Sequence, residues 1–220
     1  MSQQPQILQD MVAYLKTNTL VAEQAGDGRI ASTVDETNVV KFLQASPRWN
    51  SHVEVPKSRA AGDLIIKDGD KNHLINIKST TGNTDNAKSK LGFIHAFTDV
   101  DISTLSDKIT DQEFAHYMET RKTDIPWRDY WYLVFLKTDM QSVMLRGSKQ
   151  IVNWKHNPSN GLQINWKKEF NTPEKGYTFE ESYENVYGGY IACVVKQFSN
   201  YSDLWKQRCI ASVTKGNQND

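Results

Sequence analysis

Cysteine is scarce in this sequence: of 220 residues only Cys193 and Cys209 are cysteine, and neither belongs to a C-x-x-C pair or a Cys/His cluster. That argues against a disulfide-stapled fold and against zinc, and the preferred reading is two buried thiols in a cytoplasmic protein. Long apolar runs are lacking too, none approaching the roughly 18 residues that a membrane-crossing helix needs. The first residues, Met1-Ser2-Gln3-Gln4-Pro5, have no basic stretch leading into an apolar core, so no secretion signal is expected. Charge of one sign does not dominate: 26 basic and 26 acidic residues give a net charge of +0. This speaks against a non-specific polycationic nucleic-acid binder. A locally basic cleft offset by metal-holding carboxylates would give the same total. No G-x-x-x-x-G-K-[ST] loop is present, so no nucleotide cofactor is expected. His52, His73, His95, His116 and His156 show no H-x-H or H-E-x-x-H spacing and read as structural or surface side chains.

What is present supports a real core, with 38% hydrophobic and 10% aromatic residues. The length favours a single domain, residues 1–220. Apolar residues at three- and four-residue spacing predict helices over 6–16 and about 34–45. The pattern then changes to period two. Residues 52–55, 63–67 and 73–79 read as strands, with a tight turn at Asp68-Gly69-Asp70 where glycine tolerates positive φ. A helix is expected over 106–121, and the apolar run 130–136 reads as a buried central strand. Strands at 143–145 and 162–166 and closing helices over 179–198 and 202–213 complete the reading, with a frayed end from 215 to 220. The order implies an α/β fold, a mixed β-sheet core flanked by helices.

The second hairpin carries the chemistry. Alternation puts Leu64 and Ile66 on one face of its outgoing strand, and Ile75 and Ile77 on one face of the returning strand. Asp63, Asn76 and Lys78 can then meet on one shared face. Hydrolysis of a phosphodiester requires a hard cation on the scissile phosphate, and Mg²⁺ takes oxygen ligands such as Asp63 and Asn76. Lys78 would orient or deprotonate the attacking water and stabilise the developing charge. D-x12-N-x-K is weak as a bare pattern, since a wet hairpin face carries such residues often.

Context strengthens it. Glu54-Val55-Pro56-Lys57-Ser58-Arg59-Ala60-Ala61-Gly62-Asp63, followed by Leu74-Ile75-Asn76-Ile77-Lys78-Ser79-Thr80-Thr81, resembles the active-site hairpin of the PD-(D/E)xK nucleases, and in particular EcoRV-type type II restriction endonucleases. The likeness spans residues 33–100. It implies a restriction-endonuclease-like fold with a catalytic core at about 33–145. It also implies a helical glutamate near the metal, for which Glu36 is the matching residue. The family usually has a carboxylate where this chain has Asn76. Glu36 or Glu54 supplies the missing charge, or the branch uses Asn, or the site is an inactivated one.

Two polar segments read as DNA contacts. Residues 81–92 resemble a recurring restriction-enzyme run, and with the flanking positions offer Lys57, Arg59, Ser79, Thr80, Asn83, Asp85, Asn86, Lys88, Ser89 and Lys90. A recognition segment at about 150–170 offers Asn157, Ser159, Asn160, Gln163 and Asn165, since amide side chains can read adenine bidentately. The expectation is a Mg²⁺-dependent deoxyribonuclease that cuts double-stranded DNA at a short palindromic site. A homodimer is expected, because two strands related by a dyad need two active sites. A repair or junction-resolving nuclease, or a decayed DNA-binding module, are the alternatives. A cleavage assay separates the three.

Overall fold

The computed structural model describes residues 4–18, 20, 28–57, 61–81, 84–86, 89–157, 161–200 and 202, and for 28–33 and 84–86 the backbone alone. The chain opens with helices α1 (Gln6–Thr17) and α2 (Gly28–Ala45), then strands β1 (Val53–Glu54), β2 (Leu64–Asp68), β3 (Lys71–Thr80) and β4 (Thr84–Asn86). Helices α3 (Lys90–Phe97) and α4 (Asp111–Thr120) follow, then strands β5 (Tyr130–Leu136), β6 (Asp139–Gly147), β7 (Trp154–Asn157) and β8 (Gly161–Asn165). Helix α5 (Trp166–Phe170) leads to α6 (Phe179–Tyr183), which runs through a π-helical turn (Glu184–Gly188) and stays helical to residue 200.

Strands β1, β2, β3, β5 and β6 form a five-stranded mixed sheet in that order. β1, β2 and β3 are antiparallel, β3 and β5 parallel, and β5 and β6 antiparallel. A parallel neighbour requires a crossover, and here the crossover carries β4, α3 and α4. The fold is thus α/β with helices flanking a mixed sheet. A second sheet of three strands, in the order β4-β8-β7, joins the two polar segments.

The large sheet is covered on both faces, and strand alternation divides the core. Leu64, Ile66, Ile75, Ile77, Trp131, Leu133 and Phe135 pack with Leu8, Met11 and Leu15 of α1 and with Val39 and Leu43 of α2. Leu74, Tyr130, Tyr132 and Val134 pack the other way, against Phe93 and Phe97 of α3, Phe114 and Met118 of α4, Trp166, and Tyr183 and Tyr187. Double coverage explains why 130–136 reads as an unbroken apolar run. The hairpin turn has Gly69 at φ 63°, joining Asp68 and Lys71 in register.

Several boundaries differ from the sequence expectation. Helix α2 starts at Gly28 rather than at 34, because apolar periodicity does not mark its first turns. Strand β6 is longer than 143–145, and β8 stops before Trp166 because Asn165 caps α5. The expected helix 106–121 begins at Asp111, where Thr110 and Glu113 form a capping box. Helix α3 was not expected from the sequence: Leu91 to Phe97 are all buried, so no amphipathic stripe exists. Among the described residues no helix is long and apolar enough to cross a membrane. Cys193 is buried; Cys209, the tail and, beyond Ser202, the expected last helix lie outside the described residues.

Candidate active site

Asp63 immediately precedes β2 and is tied to β3 at both ends. Its N–H donates to Ile75 O at 2.9 Å, and its carboxylate Oδ2 accepts from the Ile77 N–H at 2.8 Å. Gly62 makes this approach possible, since a Cβ there would lie 2.9 Å from Ile75 O and 3.0 Å from the Leu74 side chain. The carboxylate is therefore held beside the strand that carries Asn76 and Lys78.

Lys78 Nζ lies 3.6 Å from Glu36 Oε1, and both side chains are about one-fifth exposed (21% and 20%). Asp63 and Glu36 also line one cleft of about 190 Å³, with Thr37, Lys41, Gln44 and Val55. Asn76 Oδ1 is buried and has no hydrogen-bond partner among the described residues. Beside it is the Tyr130 hydroxyl, also buried. The Ser89 and Asn76 side chains come close enough to favour its ionised form, yet neither makes a well-directed hydrogen bond with it. Burial pushes the Tyr130 phenol up, with further upward pressure from the Asp63 and Glu36 charges. The Tyr130 ring is seated against Gly92 of α3, where a Cβ would come within 2.7 Å of it.

The donor set suits a hard divalent cation. Asp63 and Glu36 would offer carboxylate oxygens and Asn76 an amide oxygen, and a buried acceptor lacking a donor is what a cation would satisfy. The set is poor in charge: among the described residues no group of three or more His, Cys, Asp or Glu side chains could hold a metal. Glu54, the other candidate carboxylate, is paired with Lys67 at 2.6 Å on the half-exposed sheet edge. A larger cleft of about 590 Å³ lies elsewhere, among Asp124, Lys149, Tyr177 and Phe179. Lys149 is already engaged by Asp124 at 3.2 Å, and none of the cleft's lining residues has an orphaned buried polar atom.

The expected DNA contacts have varied surroundings. Lys57 is exposed. Ser79 is buried and donates to Asp35; Thr80 is buried, and its carbonyl accepts from the Lys137 N–H. Ser89 caps α3 by accepting from the Gly92 N–H at 2.9 Å. Lys90 pairs with Asp111 at 2.7 Å and donates to Ile109 O. Gln163 is 7% exposed, its Oε1 accepting from Asn157 Nδ2 at 3.3 Å. Asn165 Oδ1 accepts from the Lys168 N–H at 3.1 Å. Asp85 and Asn86 lie on β4, paired with Ile164 and Gln163 of β8. Arg59, Asn83, Lys88, Ser159 and Asn160 lie outside the described residues.

Sequence reasoning missed Asp35 and Tyr130. Asp35 is 1% exposed, on the same helical stripe as buried Val39 and Leu43, and that four-residue spacing could have revealed it. Tyr130 sat within an apolar run whose alternation marks it as facing the Asn76 side of the sheet. No protein-family model matches the chain, and no curated protein does either.

Proposed function

We propose that this chain is a Mg²⁺-dependent endonuclease acting on double-stranded DNA, on a restriction-endonuclease-like fold. The observation that supports it best is that Glu36, from α2, lines one cleft with Asp63 and is in ion-pair contact with Lys78 of β3. In this reading Asp63, Glu36 and Asn76 would hold the metal. Bound Mg²⁺ supplies Lewis-acid polarisation of the phosphate and lowers the pKa of a water. Lys78 orients the attacking water and donates to the phosphate oxygen as negative charge builds. Glu36, in ion-pair contact with Lys78, would hold the ammonium beside the metal ligands. The likeness of 54–63 and 74–81 to EcoRV-type hairpins supports the same reading, as does the resemblance-based expectation of a helical glutamate. Two copies related by a dyad would serve the two strands.

Incubation of the full chain with plasmid DNA and Mg²⁺ tests this. Discrete fragments are the expected result. A smear or structure-dependent nicking would favour a repair or junction nuclease on the same core. Binding without cutting would identify a decayed module. Full cleavage in EDTA would rule out the metal mechanism.

A further inference from the structure

The Glu36–Lys78 ion pair joins a helix to a strand, so its geometry depends on how α2 seats on β3. Apolar packing by Val39 and Leu43 holds the helix down but is non-directional. A second bridge runs directly alongside. Ser79 Oγ donates to Asp35 Oδ2 at 2.6 Å, between residues 44 positions apart. Asp35 is 1% exposed and Ser79 4%. Lys137 Nζ lies 3.9 Å from the same carboxylate oxygen, and the Lys137 N–H is anchored on Thr80 O at 2.9 Å.

Burying a carboxylate is costly unless it is paired and hydrogen-bonded. On the stripe it shares with Val39 and Leu43, an apolar residue would give the simpler helix. What the carboxylate adds is direction: a short O–H···O⁻ bond fixes rotation and translation together. Asp35 and Glu36 are consecutive on α2, and Ser79 and Lys78 are consecutive on β3. Fixing the buried pair therefore sets where the neighbouring pair points.

We propose that Asp35, clipped by Ser79 and Lys137, is a positioning residue that seats α2 on β3 so that Glu36 meets Lys78. Its catalytic consequence rests on the nuclease reading; the clip itself does not. Asp35 and Ser79 act through Glu36 and Lys78, and Ser79 has a role other than DNA contact.

The test begins with zero-length carbodiimide coupling, which joins a contacting carboxylate and amine as an amide while the carbodiimide takes up the water as a urea. The Glu36–Lys78 product is measured by peptide mass spectrometry on the full chain, with the Glu54–Lys67 pair at 2.6 Å as internal reference. Ser79→Ala should lower the Glu36–Lys78 yield several-fold against that reference. Asp35→Asn, which keeps an oxygen for the Ser79 hydroxyl, should retain more of it. The Mg²⁺-dependent cleavage rate of Ser79→Ala should fall roughly tenfold to hundredfold at unchanged KM for DNA, as for a misplacement of about 1 Å. Asp35→Leu gives the same comparison where Ser79→Ala does not fold. An unchanged cross-link yield in either folded variant overturns the clip, as does absence of the product in the parent chain. A lowered yield with unchanged cleavage overturns the catalytic role. A parent that cuts no DNA overturns the nuclease reading, while the yields still decide the clip.

Discussion

Lys78 is the residue on which the proposed chemistry turns. Lys78→Ala removes the ammonium that aligns the water, and cleavage should fall by at least about a hundredfold. Binding of DNA in Ca²⁺ should hold, because the lysine makes no contact that the core requires. Gel-shift and single-turnover assays on the same preparation separate the two, and cleavage within tenfold of the parent would defeat the assignment. Asn76 is the residue that departs from the pattern of the nuclease hairpins that the sequence resembles. Its partnerless buried oxygen sits near the Tyr130 phenol, which itself feels two carboxylate charges. Asn76→Asp adds a third negative charge there. Without divalent cations the variant should melt at lower temperature than the parent, since crowded carboxylates repel. Mg²⁺ should raise its Tm by more than it raises the parent's, by mass action on a better donor set. Equal Mg²⁺-induced shifts in the two proteins would mean that position 76 does not face the metal.

At the scale of elements, the β7–β8 hairpin matters because it brings the second polar segment beside the first. One buried carboxylate anchors it. Glu169 is 0% exposed, and its Oε2 accepts from the Val152 and Asn153 N–H groups and from Asn153 Nδ2. Its Oε1 lies 3.5 Å from Arg146 Nε of β6, an ion pair without a directed hydrogen bond. Arg146 in turn pairs with Glu174 at 2.6 Å. Glu169→Ala leaves buried donors and a guanidinium unmatched, and should cost on the order of 3–5 kcal/mol. Urea unfolding of variant and parent measures it, and a loss below about 1 kcal/mol, ordinary for a surface site, would contradict the anchoring role. Glu169→Gln, which still accepts hydrogen bonds, should fall between the two.

For the whole molecule, two buried imidazoles shape the response to acid. Burial, reinforced by the nearby Arg128 charge, pushes His95 from 6.5 down to about 3. Burial also lowers His73, partly offset by Asp68. Both shifts have the same sign. Below pH 6.5 the unfolded chain takes up protons that the folded chain refuses, so stability falls as pH drops from 6.5 toward 3. Above 6.5 both states are neutral at these positions and the effect vanishes. Each fully depressed histidine contributes a slope of up to about 1.4 kcal/mol per pH unit. Asp129 works the other way, because burial raises its carboxyl and ionisation then opposes folding as pH rises through that value. Urea midpoints at pH 7, 6, 5 and 4 give the slope, and His95→Gln should flatten it. A slope unchanged in His95→Gln would show that this ring does not resist protonation.

Local periodicity by itself determined much of this protein. The alternation in 63–67 and 73–79 assigned strands and faces correctly, because successive side chains on a strand must point to opposite sides, and the unbroken apolar run 130–136 marked a buried central strand. The Asp68-Gly69-Asp70 turn was legible because positive φ favours glycine. Asp63 and Lys78 could be assigned to one side of the hairpin for the same reason. Tertiary structure decided which faces meet across loops. It placed Glu36 against Lys78, buried Asp35 against Ser79 from 44 positions away, and made Ser89 and Asn165 helix caps. It also tucked Gln163 beneath Asn157 and wedged Tyr130 between α3 and Asn76. A polar side chain in a sequence advertises its chemistry but not its partner, and whether it meets solvent, a backbone donor or another charge depends on how distant elements pack.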